Sequence, residues 1–130
     1  MSATAHRLAC LISVTGGLLV ATWGCGDQPS VTSSTTEATV KGTVIIKGKP
    51  ATKGKVVFDP ANYRRKDVQA RSAPINKDGT YSVTTLVGGN NVRVEGPEAE
   101  KAGATYSSID FDVKSGENTL DIKLPPETPN

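Results

Sequence analysis

Histidine and cysteine are scarce in this sequence, and where the few copies fall matters more than their number. The only histidine is His6, and the two cysteines are Cys10 and Cys25. From residue 26 onward the chain has neither imidazole nor thiol. A Ser-His-Asp or Cys-His nucleophilic site cannot be assembled from that part, and zinc loses its usual ligands there. No cysteine pair remains in it to form a disulfide framework. Aromatic residues make up 5% of the sequence and hydrophobic ones 36%, so any core is small and mostly aliphatic. A dominant charge is missing too. Lys plus Arg is 15 against 13 for Asp plus Glu, a net +2, too weak a field to gather phosphates or acidic partners from a distance. No phosphate-binding loop occurs, because Gly88-Gly89 lacks the Lys-Ser/Thr and the helix that such a loop requires. These absences lead us to expect no enzyme, no cofactor and no metal ion.

What is present begins with a leader. Residues 1–7 carry one fixed positive charge, Arg7, and residues 8–24 carry none. Leu11, Ile12, Val14, Leu18, Leu19 and Val20 make that second stretch mostly apolar, the order expected of a secretory signal peptide. A bilayer span takes about 20 strongly apolar residues. This run is shorter and diluted by Ser13, Thr15, Gly16 and Gly17, so cleavage is favoured over an uncleaved anchor. Residues 1–24 are read as the signal. The run closes on Ala21-Thr22-Trp23-Gly24-Cys25-Gly26, which resembles the lipobox of bacterial lipoproteins, although Thr22 and Trp23 stand where that family has Leu and a small residue. The resemblance implies that the Cys25 thiol is acylated and becomes the first residue. Two or more acyl chains would hold the protein to a membrane stably, whereas one binds marginally. The alternative is ordinary cleavage nearby, with Cys25 an incidental thiol. On either reading the address is extracytoplasmic, in the periplasm or cell envelope.

Residues 25–38 are polar and turn-rich, with Ser and Thr clustered over 31–36, and read as a lipidated start followed by a flexible tether. From Thr39 the hydrophobic period becomes two. Val40, Gly42, Val44 and Ile46 share one face until Gly48-Lys49-Pro50 breaks the run. Val56 and Phe58 form a second inward pair, and a weaker strand spans 68–75 with Pro74 marking an edge or end. Asn76-Lys77-Asp78-Gly79 supplies a turn, after which Tyr81 and Val83 point inward. Gly88-Gly89-Asn90 predicts another turn before Val92 and Val94. A looser stretch over 96–106 shows no helical period. Ile109, Phe111 and Val113 then alternate, Ser115-Gly116-Glu117 turns the chain, and Leu120, Ile122 and Leu124 alternate up to Pro125-Pro126. Seven short strands with turn signals at about 8–12-residue spacing predict an all-β antiparallel sandwich over residues 39–124, with residues 125–130 as a tail.

Several of these segments resemble the carboxypeptidase regulatory-like family. They are Lys41-Gly42-Thr43-Val44, the Gly48-Lys49-Pro50 turn, Gly54-Lys55-Val56-Val57-Phe58, and Asp78-Gly79-Thr80-Tyr81-Ser82-Val83. The stretch from Val113-Lys114-Ser115-Gly116 through Asn118-Thr119-Leu120-Asp121-Ile122 is similar to that family's closing hairpin. The resemblance covers residues 39–124. It implies a seven-stranded Ig-like or transthyretin-like sandwich serving as an accessory or structural module, with no catalytic residues to carry over. One departure is Asn91, where the family often has an aromatic. Small bacterial lipoproteins built from one such domain are a type that this chain resembles.

Three groups remain as candidate sites. Asp110 and Asp112 lie two apart on a strand and could bind calcium or, across a cleft, cleave glycosides. The stronger reading is a charged solvent face that opposes edge pairing. Asn76-Lys77-Asp78-Gly79 is similar to a fragment of a calcium loop, but a hairpin turn explains it more simply. Arg64-Arg65-Lys66, beside Tyr63 and with Arg71 beyond, could touch anionic headgroups, acidic glycans or nucleic acid. A solvated loop is the plainer reading, and an extracytoplasmic address argues against nucleic acid. The expected function is a non-catalytic, membrane-tethered accessory module that docks an unidentified envelope protein. The alternative is a carbohydrate- or small-ligand-binding sandwich, for which only Tyr63, Tyr81 and Tyr106 offer aromatic faces, with Tyr81 assigned inward.

Overall fold

The computed structural model describes residues 31–125; Cys25 and the leader lie outside them. The described chain forms an all-β sandwich of two antiparallel-rich sheets. Alternation produces it directly, since every long strand sends one row of small aliphatic side chains inward and a polar row outward.

β1 (Glu37–Ile46) is the organising strand. Val40, Val44 and Ile46 are buried along one face while Lys41 is exposed. Lys47 and Gly48 both take positive φ, 50° and 79°, as a two-residue hairpin turn requires, and lead into the short β2 (Lys49–Pro50). β3 (Lys55–Asp59) buries Val56, Val57 and Phe58. β4 (Arg71–Pro74) pairs with it as an outer strand, which agrees with an edge at Pro74 but is shorter than the expected 68–75. β5 (Thr80–Leu86) follows the Asn76-Lys77-Asp78-Gly79 turn, closed by Gly79 N–H donating to Asn76 O at 2.9 Å.

The sheet containing β1 has β5 antiparallel on it from Glu37↔Leu86 to Thr43↔Thr80. β6 (Gly88–Glu95) belongs to the other sheet, in which the order is β4-β3-β6 and then β7 (Ser108–Val113). The turn expected at Gly88-Gly89-Asn90 is therefore not a turn. Those residues open β6, and the chain changes sheets one position earlier, at Val87. Gly88 has φ 101°, and a Cβ there would lie 2.0 Å from Thr32 Cγ2; only glycine fits both demands.

The last strands correct a second expectation. β8 (Glu117–Thr119) and β9 (Ile122–Leu124) do not close a hairpin with β7. They cross to the first sheet and run parallel to β1, with Thr39↔Glu117 and Val44↔Ile122 in register. The strand expected over 120–124 is thus β9 alone, the second piece of a longer strand broken at Leu120-Asp121, whose first piece, β8, begins at Glu117 where a turn was expected. The looser stretch over 96–106, in which no helical period is visible, contains α1 (Pro97–Lys101), with Pro at its first turn, Glu98 and Glu100 near its start and Lys101 at its end. Those are helix-terminus signals; five residues are simply too few to show a period.

Strand register gives the sandwich two distinct ends. At one lie residues 31–37, the 60–67 loop, the Val87 crossover and the 114–116 turn. At the other lie the Lys47-Gly48 turn, residues 75–79, α1 and Leu124.

Candidate functional site

The end where the chain joins the sandwich is built around a buried arginine. After β3, Pro60 and Asn62 bend the chain, and Asn62 and Arg65 bond to each other's backbone. Asn62 Oδ1 also accepts from the Arg64 N–H at 2.8 Å. This tight loop turns the Arg65 side chain inward, where only 6% of it is exposed. Its guanidinium donates to four carbonyl oxygens: Pro60 at 2.6 Å, Ser34 at 2.8 Å, Val87 at 2.8 Å and Gly89 at 3.1 Å. Burial pushes its pKa below the ordinary arginine value, yet a guanidinium keeps its proton throughout the accessible pH range. Five donors in a planar fork suit this task, and lysine could not span it. Of the basic run expected to be a solvated loop, Arg65 is therefore a structural clamp, and only Arg64 and Lys66 remain exposed.

The clamp holds the segment that leads into β1. Besides Ser34, Thr32 O accepts from Asn62 Nδ2 at 3.1 Å, and Thr36 O accepts from the Val87 N–H at 2.8 Å. Residues 32–36, within the span whose composition reads as tether, thus run bonded to the domain. Polar side chains and low apolar content do not free a backbone whose carbonyls are claimed by a buried cation, an amide side chain and a strand N–H. A second polar staple lies beside the first. Asn90, 2% exposed, accepts from Thr85 Oγ1 at 2.7 Å and donates to Leu86 O and Gly88 O, both at 2.9 Å. It fixes the backbone where the chain passes between sheets.

On the surface of this end, Tyr63 is 65% exposed with the Arg64 guanidinium carbon 5.6 Å from its ring centroid, a cation–π contact. Tyr106, 98% exposed, precedes β7 at the opposite end. Tyr81 points inward as expected, its hydroxyl donating to Leu120 O at 2.7 Å. Burial, and secondarily the Asp121 carboxylate, push that phenol's pKa well up. The three tyrosines share no face.

Leu120 O turns inward at the β8–β9 break, over Gly42, where a Cβ would lie 1.8 Å away. The Thr43 N–H, which loses its strand partner there, donates to Asp121 Oδ1 at 2.8 Å instead. The open groove above this break, about 450 Å³, is lined by Lys41, Thr43, Asn76, Thr80, Ser82 and Asp121 among others. A further depression of about 350 Å³ lies between the β1–β2 hairpin and α1, with Lys47, Lys49 and Lys101 around Glu98. Glu98 is committed to Thr52, accepting from its N–H at 3.0 Å and its hydroxyl at 2.7 Å.

Asp110 accepts from Asn91 Nδ2 at 3.2 Å and Asp112 pairs with Lys114, so the two carboxylates have separate neighbours on an exposed strand. Asp78 caps its own turn, accepting from Thr80 N–H and hydroxyl. Among the described residues no three His, Cys, Asp or Glu side chains gather as metal ligands would, and no buried side-chain nitrogen or oxygen lacks a partner. No helix among them is long and apolar enough to cross a membrane.

Neither a family model nor a curated protein matches the chain. In shape it is similar to a DUF3823 family protein from Parabacteroides merdae, at 16% identity and a TM-score of 0.51, covering 67% of this chain and 45% of that one. A DUF3823 family protein from Bacteroides ovatus aligns at 19% identity and a TM-score of 0.47, over 70% and 44%. The dioxygenase domain of a dioxygenase carbohydrate-binding protein fusion from Streptomyces sp. SirexAA-E aligns at 18% identity and 0.43, over 75% and 86%. This chain spans less than half the length of either DUF3823 protein. The first likeness is one of β-rich fold alone.

Proposed function

We propose that the chain is a membrane-tethered, non-catalytic extracytoplasmic lipoprotein whose carboxypeptidase regulatory-like sandwich serves as a structural or protein-interaction module. The observation that carries this reading is the construction of its start. A charged-then-apolar leader ends at Cys25, and Thr32, seven positions later, is already hydrogen-bonded to the folded body. A lipid on Cys25 would therefore hold the sandwich itself close to the bilayer, not at the end of a long leash.

The non-catalytic part rests on composition and on how the buried polar groups are used. No histidine follows Cys25. Arg65, Thr85 and Asn90, the buried polar and charged residues of the described chain, are spent on backbone and on one another. The four-stranded sheet offers a docking surface, since its outer strands β4 and β7 each have one side without a strand partner among the described residues. Pro74 removes a donor from β4, so β7 offers the more complete backbone edge for strand addition. The alternative, a carbohydrate- or small-ligand-binding sandwich, would draw on Tyr63 and Tyr106. They stand at opposite ends and form no common platform.

Mass spectrometry of the mature N-terminus tests the proposal. The expected product starts at Cys25 and carries acyl chains, and Cys25→Ser moves the protein from the membrane to the soluble extracytoplasmic fraction. A mature chain that starts elsewhere with an unmodified Cys25 would remove the anchor.

A further inference from the structure

We infer that the sandwich stands on the membrane by the end that carries Tyr63, Arg64 and Lys66, with Tyr63 in the headgroup layer of anionic lipid; this rests on acylation of Cys25. Thr32 is bonded to Asn62, and Ser34 to Arg65, so the chain coming from Cys25 meets the domain against the very loop that displays Tyr63. Seven residues reach at most about 25 Å when fully extended. β1, at ten residues, is about 33 Å long, so the lysines around α1 stand a full sandwich length farther from the anchor than Tyr63 does. Short reach and a clamped approach bring this end to the lipid first.

The chemistry of that end suits a headgroup layer. Tyrosine belongs at the boundary, its ring in the acyl margin and its hydroxyl among the headgroups. Arg64 lies over the ring and Lys66 is exposed beside it, two cations for lipid phosphates, with Asp67 the opposing charge of the loop and Asp59 half-buried at its base. Of the other charges near this end, Glu37 pairs with Arg71, Glu117 with Lys41 and Asp112 with Lys114, while Asp110, level with Asp59 across β6, accepts from Asn91. Each basic residue near an anionic surface favours contact about fivefold; Asp67 offsets roughly one of the two, and Asp59, half-buried at the loop's base, offsets part of the other. Such a gain is too small to recruit a free protein. It is enough to orient one that its anchor already holds at high local concentration.

Cleavage at Cys25 removes Trp23, the only tryptophan, so Tyr63→Trp and Tyr106→Trp in the acylated full chain are single-tryptophan reporters of the two ends. Both are reconstituted in vesicles of phosphatidylglycerol and phosphatidylcholine, and quenching by lipids brominated near the headgroup is read after flotation. The expected result is quenching and a blue-shifted emission for Tyr63→Trp, little of either for Tyr106→Trp, and roughly 25-fold weaker preference for this orientation, about fivefold for each charge removed, when Arg64 and Lys66 are both changed to Ser. Equal quenching of the two reporters, or none in protein that floats with the vesicles, would overturn the orientation while leaving the anchor intact. Failure to float would overturn the anchor and the orientation with it.

Discussion

Arg65 is the residue whose loss the structure prices most clearly. Arg65→Met keeps the volume and apolar stem but removes every donor from Pro60, Ser34, Val87 and Gly89 carbonyls. Stranding a buried acceptor costs about 1–3 kcal/mol. Water reaches some of the four once the guanidinium is gone, and the desolvation of the cation is recovered. A net loss of about 3 kcal/mol follows, against a total of roughly 5–15 kcal/mol for a domain of this size. For a chain near 100 residues that lowers Tm by about 12–24 °C. Arg65→Lys keeps the charge but reaches fewer of the carbonyls, and about half the loss is expected. Thermal unfolding of both variants gives these numbers. Hydrogen exchange gives the location, because the Val87 N–H that donates to Thr36 O should lose protection before the core of β6 does. A Met variant melting within about 2 °C of the parent, or one in which β6 and the 31–36 segment lose protection together, would refute the clamp.

Other outcomes follow from the same contacts. Asn90→Ala strands the Thr85 hydroxyl and two carbonyls and should cost about 2 kcal/mol; a double-mutant cycle with Thr85→Val should return a coupling near 1 kcal/mol, and a coupling of zero would deny the pair. Gly42→Ala forces a Cβ into Leu120 O and should cost about 3 kcal/mol or more, with hydrogen-exchange protection lost first at β8 and β9. Unchanged protection there would mean that the break does not depend on Gly42. The carboxylates of Asp78, Glu95, Glu98 and Glu117 titrate below their ordinary range because of hydrogen bonds from Thr80, from Lys55 and Arg93, from Thr52, and from Lys41 respectively. Each folded pKa is depressed, so its stabilisation is present above about pH 4–4.5 and is lost as pH falls through the folded value. Urea midpoints should therefore fall on acidification below pH 4.5, less steeply in Glu98→Gln; a midpoint that rises with acid would contradict the assignment.

Much of the fold was legible in the alternation of side chains. Val40, Val44 and Ile46, Tyr81 and Val83, and Val92 and Val94 were assignable to a core because a pleated strand with one wet face admits no other arrangement. Pairing was not legible to the same degree. Ile122 and Leu124 read the same whether their strand lies parallel or antiparallel to its neighbour, so nothing in 117–124 distinguished a closing hairpin from a crossover onto β1. Gly88-Gly89-Asn90 carries turn chemistry, but there Gly88 packs closely on Thr32 and Asn90 forms a buried staple. Arg65 was hidden by its company. Its carbonyl partners come from positions 34, 60, 87 and 89, and a local window sees only three adjacent cations. The one available hint was Asn62 after Pro60, which bends the chain enough to turn a following side chain inward.

The polar staples and β1 together explain how a small, aromatic-poor domain could withstand attachment at its N-terminus. β1 is the inner strand of its sheet, bonded along one side to β5 and along the other to β8 and β9. A pull from the proposed anchor acts along that strand, so its hydrogen bonds on both sides are loaded in shear and must yield together. An edge strand attached in the same way would have one row of bonds. Before the force reaches β1 it meets Thr32, Ser34 and Thr36, whose carbonyls are bound to Asn62, Arg65 and Val87, three different points on the body. Arg65 itself is shared between the incoming segment and the Val87–Gly89 crossover, which spreads that load into the second sheet. A buried cation without a carboxylate is an expensive way to fill a core. Its place at the junction of incoming segment, loop and crossover is where a multidirectional donor does what aliphatic packing in a 95-residue body cannot: tie the end of the β1–β5 ladder to the end of the β3–β6 ladder, across the two sheets.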